Sequence, residues 1–129
     1  MGLSRANIYV ENARDSSPKG MNLKMLVDSG STYMVLPANI AFQLALDEYE
    51  TKEVVLADGS VRKCPYVGPL KVVFENRICF TGAIVMGNEP ILGCIQMEDM
   101  DLVVLPKIHT LAVNPDSPNI ATAYAKTAK

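Results

Sequence analysis

Lys24-Met25-Leu26-Val27-Asp28-Ser29-Gly30-Ser31-Thr32-Tyr33-Met34-Val35-Leu36-Pro37 is the stretch that decides the fold. An apolar run leads into one aspartate, Ser-Gly-Ser follows, and the chain turns apolar again. Apolar runs on both sides of turn formers read as two strands joined by a tight turn. Asp28 therefore stands at a strand end, surrounded by hydroxyl and backbone donors. Asp-Ser-Gly occurs once in the 129 residues, and Asp-Thr-Gly does not occur. Asp15-Ser16 runs into Ser17, Asp58 into Gly59, and Asp116-Ser117 into Pro118. Chemistry that needs two such turns must take the second from another chain.

Working outward, Pro37 fits the first position of a helix, where its missing N–H costs nothing. Ile40, Ala41, Leu44 and Ala45 give that helix one apolar face as far as Leu46. Upstream, residues 3–10, with Ala6-Asn7-Ile8-Tyr9-Val10, read as a short strand and 11–20 as polar turn material. Downstream, 53–56 and 61–66 read as strands flanking Ala57-Asp58-Gly59-Ser60, and Asp-Gly predicts a type I′ hairpin turn. Residues 70–74 and 78–86 form a second hairpin around Glu75-Asn76-Arg77, which Gly87-Asn88-Glu89-Pro90 ends. Ile91-Leu92-Gly93 is apolar and stops at glycine, 94–100 read as a short helix, and 102–105 and 108–113 as strands around Pro106. Many short β runs with one or two short helices indicate a small all-β barrel or sandwich. Residues 1–118 read as one domain. Residues 119–129 form an Ala- and Lys-rich tail that does not read as a strand and is a candidate for disorder.

The 49% apolar content suits a folded domain large enough to bury a core. A net charge of -2 and a pI near 5.3 argue against nucleic acid or anionic membrane as the main partner. No run approaches the roughly 18 apolar residues of a membrane span. Met1-Gly2-Leu3-Ser4-Arg5-Ala6 lacks the apolar segment of a signal peptide, and Ala6 stands where myristoylation wants Ser or Thr. A cytoplasmic location is the expectation. Cys64, Cys79 and Cys94 are odd in number and scattered, which fits reduced thiols acting as small buried hydrophobes. His109 is the only histidine and no Cys-x-x-Cys accompanies it, so neither a metal nor a cofactor is expected. Met21, Met25, Met34, Met86, Met97 and Met100 read as flexible core filler. Glu98, Asp99 and Asp101 read as a solvated helix end, with a cation site as the alternative.

The segment from Leu26 to Ser31 resembles the catalytic turn of retropepsin-like aspartic proteases. The second signature of that family is two apolar residues and a glycine before a short late helix. Ile91-Leu92-Gly93 matches it, with Cys94-Ile95-Gln96-Met97-Glu98 behind. Between the two lies the family's flap hairpin, and residues 53–67 around Asp58-Gly59 take that place. Order and spacing agree over residues 22–113. Leu56-Ala57-Asp58-Gly59-Ser60 and Val113-Asn114-Pro115 look most like small single-domain microbial members. The resemblance implies an all-β fold, a small closed barrel of the acid-protease type, with one lobe per chain and a homodimer as the working unit.

It also implies an aspartic endopeptidase acting on a peptide or protein substrate. Two like charges ~3 Å apart cannot both ionise, so such a pair shares one proton and favours the acidic side of neutral. In this frame Asp28 is catalytic, once from each subunit. Ser29, where most members carry Thr, would bond across the dimer axis. Gly30 would bring its N–H to the carboxylates. Ser31 would hydrogen-bond the outer carboxylate oxygen, or simply cap the turn. Ala57, Asp58, Gly59 and Ser60 would form the flap tip, with Tyr66 reaching the cleft from the return strand or merely packing. Ile91, Leu92 and Gly93 would pack on the catalytic turn. Two alternatives stand beside this. One is a non-proteolytic homodimeric peptide- or protein-binding module on the same fold, suggested by the acidic Gln96-Met97-Glu98-Asp99-Met100 and by a flap with one convincing glycine. The other is an unrelated β-barrel enzyme using Cys94.

Overall fold

The computed structural model describes residues 4–126. Nine strands and two short helices follow one another: β1 (Ser4–Asn12), β2 (Met21–Val27), β3 (Met34–Leu36), α1 (Ala38–Gln43), β4 (Asp47–Val55), β5 (Val61–Phe74), β6 (Arg77–Val85), β7 (Ile91–Leu92), α2 (Cys94–Asp99), β8 (Leu102–Leu105) and β9 (Thr110–Val113). The main sheet has the order β1-β2-β7-β3-β6-β5-β4, and β1 also pairs with β5. That last pairing closes β1, β2, β7, β3, β6 and β5 into a barrel and leaves β4 outside it. The strand pair β8-β9 forms a separate small sheet.

Period-2 alternation fills the barrel. Ile8 and Val10 of β1, and Val72 and Leu70 of β5, point inward and are wholly buried, while their neighbours face out. Met25, Met34 and Met100 are also wholly buried and Met97 nearly so, the irregular filling that an unbranched thioether suits. Cys64 and Cys79 are buried and Cys94 half-buried, all as free thiols. Burial pushes the Cys79 thiol up to about 12. No helix among the described residues is long and apolar enough to cross a membrane.

The structure departs from the sequence reading at four elements. β4 begins at Asp47 instead of residue 53. Its first half is polar on both faces, so no apolar period marked it; pairing with the β5 backbone makes the strand. β5 is one strand of 14 residues instead of two, running through Gly68-Pro69. The register shifts between Val67 and Leu70, and that irregularity absorbs the missing proline donor. Pro37 is the N-cap of α1, with φ -62 and ψ 152, not its first helical residue. The flap turn is not type I′. Gly59 N–H donates to Leu56 O (2.9 Å) and Leu56 N–H to Ser60 O (2.8 Å), with only Gly59 at positive φ (+86°). This is a three-residue loop, a type I turn closed by a left-handed glycine.

Three polar contacts lock the ends of elements. Asn12, buried, donates to Leu44 O (2.9 Å) and Ala45 O (3.2 Å), satisfying the open carbonyls that end α1. Gln96, wholly buried on α2, accepts from Gly93 N–H (3.2 Å) and donates to Thr81 Oγ1 (2.9 Å). Asp101 is a hub just past α2. It accepts from the Ser117 hydroxyl, from Asn114 Nδ2 (3.0 Å) and from Thr122 N–H (2.9 Å), and lies 3.8 Å from Arg77 Nη2. Asp101 is thus a tether for the tail, not a solvated helix end. The Arg77 side chain is only 2% exposed and also donates to Ser117 O, while Nε and Nη1 have no partner among the described residues. Asn76 Nδ2 donates to Pro118 O (2.9 Å). Residues 114–126 form no strand, yet their first half is bound down by these contacts.

The Asp28 turn and the Gly93 turn touch backbone to backbone. Cys94 N–H donates to Ser31 O (2.7 Å) and Ile95 N–H to Thr32 O (3.1 Å). A Cβ on Gly93 would sit 2.5 Å from both the carbonyl carbon and oxygen of Tyr33.

Gly93→Ala should destabilise the fold by about 1–3 kcal/mol or more, because the obstructing atoms are backbone and cannot rotate away; urea denaturation measures it, and an unchanged midpoint contradicts the contact. The Ser117 hydroxyl, then Thr122 N–H and the Asn114 amide, hold the Asp101 carboxyl at about 2 against an ordinary 3.8. The folded value is the lower, so this stabilisation is complete above pH 3.8 and is lost as pH falls toward about 2. Asp101→Asn should flatten that part of an acid-unfolding curve. At neutral pH Asp101→Ala should lower the Tm more than Arg77→Met, since it strands a buried guanidinium without a counter-charge.

Candidate active site

Asp28 follows directly on β2. Leu26 N–H donates to Pro90 O (3.0 Å) and Asp28 N–H to Leu92 O (3.1 Å), so β7 fixes the main chain on both sides of Val27. Past the aspartate the chain turns sharply, with Ser31 N–H on Asp28 O (3.1 Å). Gly30 N–H donates to Asp28 Oδ1 (2.9 Å), orienting the carboxylate. A Cβ on Gly30 would lie 3.2 Å from that same oxygen. Asp28, Ser29 and Gly30 are all exposed. A carboxylate delivered by a buried strand, held by the Gly30 N–H and open to its surroundings is placed to act on something brought to it.

The other expected site residues separate by role. The Ser31 hydroxyl donates to Tyr33 O (2.8 Å), not to the Asp28 carboxylate, so in this chain it caps the turn. Ile91 lines the cleft beside Asp28, while Leu92 is wholly buried in the core. Gly93 makes the backbone contact with Tyr33. Of the flap tip, Ala57 lines the cleft; Asp58, Gly59 and Ser60 do not. Instead Asp58 Oδ1 accepts from Ser60 N–H (2.9 Å) and Oγ (2.6 Å), stiffening the tip. Those bonds pull the Asp58 carboxyl below its ordinary value. Cys94 and His109 lie away from the cleft lining, which leaves the thiol reading without a site.

The cleft holds about 520 Å³. Asp28 and Gly30 form its floor, the β4 arm of the flap its roof, and Val35, Ile84 and Met86 an apolar wall. Behind that wall is a small cluster of its own, Val35, Cys64 and Ile84, with Tyr33, Val54 and Tyr66 packed against it. The rings of Tyr33 and Tyr66 meet edge to face at 5.8 Å. Gly82 makes room for Tyr66, since a Cβ there would fall 2.3 Å from the ring. Tyr33, Lys52 and Val54 were not recognised in the sequence as cleft residues. Lys52 and Val54 are two apart on β4 and share its inward face, a period legible only once the strand is known to start at Asp47. Among the described residues no group of three or more His, Cys, Asp or Glu is placed to hold a metal ion.

No family model matches the chain. No curated protein matches it either. Solved structures do. EIAV protease complexed with the inhibitor HBY-793 superposes with a TM-score of 0.62 at 16% identity, covering 81% of this chain and 93% of that one. The retroviral protease-like domain of Ddi1 from Leishmania major superposes with a TM-score of 0.55 at 14% identity, covering 88% and 91%. At such identities the likeness is one of fold. The closed barrel, its two short helices and the order of its strands are those of the retropepsin-like fold.

Proposed function

We propose that this chain is an aspartic endopeptidase whose active site is completed by a second copy of itself. The observation that carries the reading is Asp28: exposed, held by Gly30 N–H and Leu92 O, and set on the floor of a cleft roofed by a hairpin. The retropepsin-like fold supports it. One chain supplies one carboxylate, and a two-fold axis beside the exposed Asp28–Gly30 turn would supply the other.

Two such carboxylates share a proton. The ionised member removes a proton from a water held between them, and that water attacks the scissile carbonyl carbon. The protonated member gives its proton to the carbonyl oxygen, producing the tetrahedral diol. Collapse breaks the C–N bond while a proton passes to the leaving amine. No covalent bond to the enzyme forms. The flap would exclude bulk water and hold an extended peptide against the floor.

Asp28→Asn should reduce cleavage of a mixed peptide pool at least about 100-fold, the usual scale of an acid–base contribution. Light scattering should report the same dimer for the variant as for the parent chain. Equal cleavage by the variant, or peptidase activity from a strict monomer, refutes the proposal.

A further inference from the structure

One charged side chain in the cleft has no part in the chemistry above. Lys52 enters from β4 and is the only cation among the lining residues. Its Nζ lies 5.4 Å from the ring centre of Tyr33 and 4.9 Å from that of Tyr66, within cation–π range of both. Glu50, two residues back on the same strand face, holds it at 3.1 Å. That carboxylate, with the two tyrosines, pushes the Lys52 ammonium above its ordinary value, so it carries its charge at any working pH. The side chain is 27% exposed, against 56% for Glu50. Lys52 is thus the better covered of the pair, and its partner lies nearer the solvent.

An ammonium carries three N–H donors. Glu50 uses one, from an exposed position where an ion pair is worth little. Among the described residues the remaining donors have no carboxylate partner, and Val35, Ile84 and Met86 make an apolar wall in the same cleft. Glu53, also against this cleft, is exposed and lies opposite Lys63 in the strand register, on the other face of β4 from Lys52. A peptide drawn into the cleft would cover Lys52 and strip its water, and a neutral side chain there would leave the charge unsolvated. A carboxylate would meet it.

We propose that the cleft selects peptides bearing an Asp or Glu side chain flanking the scissile bond, at the positions on either side that the two-fold axis relates, and that Lys52 of each copy is the residue that recognises it. This rests on the peptidase reading of the same site. Lys52 determines specificity and does not touch the reacting atoms. A charge-assisted hydrogen bond formed in a partly dry cleft corresponds to about tenfold or more in selection.

The test uses the whole chain and a C-terminally amidated mixed decapeptide pool, with two readouts. Cleavage sites are mapped by mass spectrometry, and peptides captured by immobilised Asp28→Asn protein are identified without turnover. Asp and Glu should be enriched about tenfold over Asn and Gln at a defined position on either side of the scissile bond in the cleavage map, and over the same amides in the captured peptides. Lys52→Met should bring that ratio to about one, and Lys52→Glu should replace it with enrichment of Lys and Arg. Enrichment that survives Lys52→Met overturns the assignment, as does cleavage or capture with no acidic preference. Capture from a parallel pool with free C-termini, and none from the amidated pool, would assign the ammonium to a chain-end carboxylate and overturn the side-chain version. Lys52-dependent capture of acidic peptides with no cleavage by the parent chain sinks the peptidase reading alone. Cleavage without acidic preference sinks the Lys52 assignment alone, and absence of both cleavage and capture sinks both.

Discussion

Gly93 lies so close to the backbone of Tyr33 that no side chain fits between them. The rest of the molecule is arranged around that contact. It lets two turns from distant parts of the sequence share hydrogen bonds, Cys94 to Ser31 and Ile95 to Thr32. It brings β7 alongside β2, which fixes the main chain of Asp28 through Leu92 O. Gln96, buried on α2, then holds Gly93 from behind. The exposed carboxylate is in this way carried on a main chain fixed by Leu92 O and oriented by Gly30 N–H. A functional group held by backbone keeps its place better than one held by flexible side chains.

The cleft in front of that carboxylate is built differently. Its wall is a second, smaller apolar cluster, separate from the barrel core, and its roof is the β4 arm. The arm has a firm root and a firm tip. At the root β5 runs unbroken from the flap into the barrel, and at the tip Asp58 grips Ser60. What remains free to vary is the middle, where the inward residues Lys52 and Val54 face the wall. Shape there is set by apolar packing and charge by a single ammonium. The two can change independently, which is how one barrel can serve different ligands.

Much of this was legible from the residues. The Asp28 turn, the helix after Pro37, the flap hairpin and the late Ile91-Leu92-Gly93 all carry local signals: turn formers between apolar runs, or a 3.6-residue period. What the sequence concealed was tertiary in origin. The polar first half of β4 becomes a strand because β5 lies beside it, and no propensity marks that. Gly68-Pro69 reads as a break, yet β6 pairs on both sides of it. Asp58-Gly59 admits two turn types, and the strand register chose the one with a single left-handed residue. Ser31 had two possible partners, and the nearness of Tyr33 O decided between them. Asp101 looked like one of three acids at a helix end; its partners Ser117 and Thr122 lie 16 and 21 residues away.

Closing the barrel through the pairing of β1 with β5 leaves β4 as the end strand of the seven-stranded sheet, paired with β5 on one side. An open margin is a template on which another molecule's strand can grow. Of the nine residues of β4, Asp47, Glu48, Glu50, Lys52 and Glu53 are charged, four of them acidic. Two copies brought margin to margin in parallel register would set like charges against each other, which disfavours stacking along this strand. The same charges that deprive this strand of an apolar period are the kind that weigh against polymerisation along an open edge.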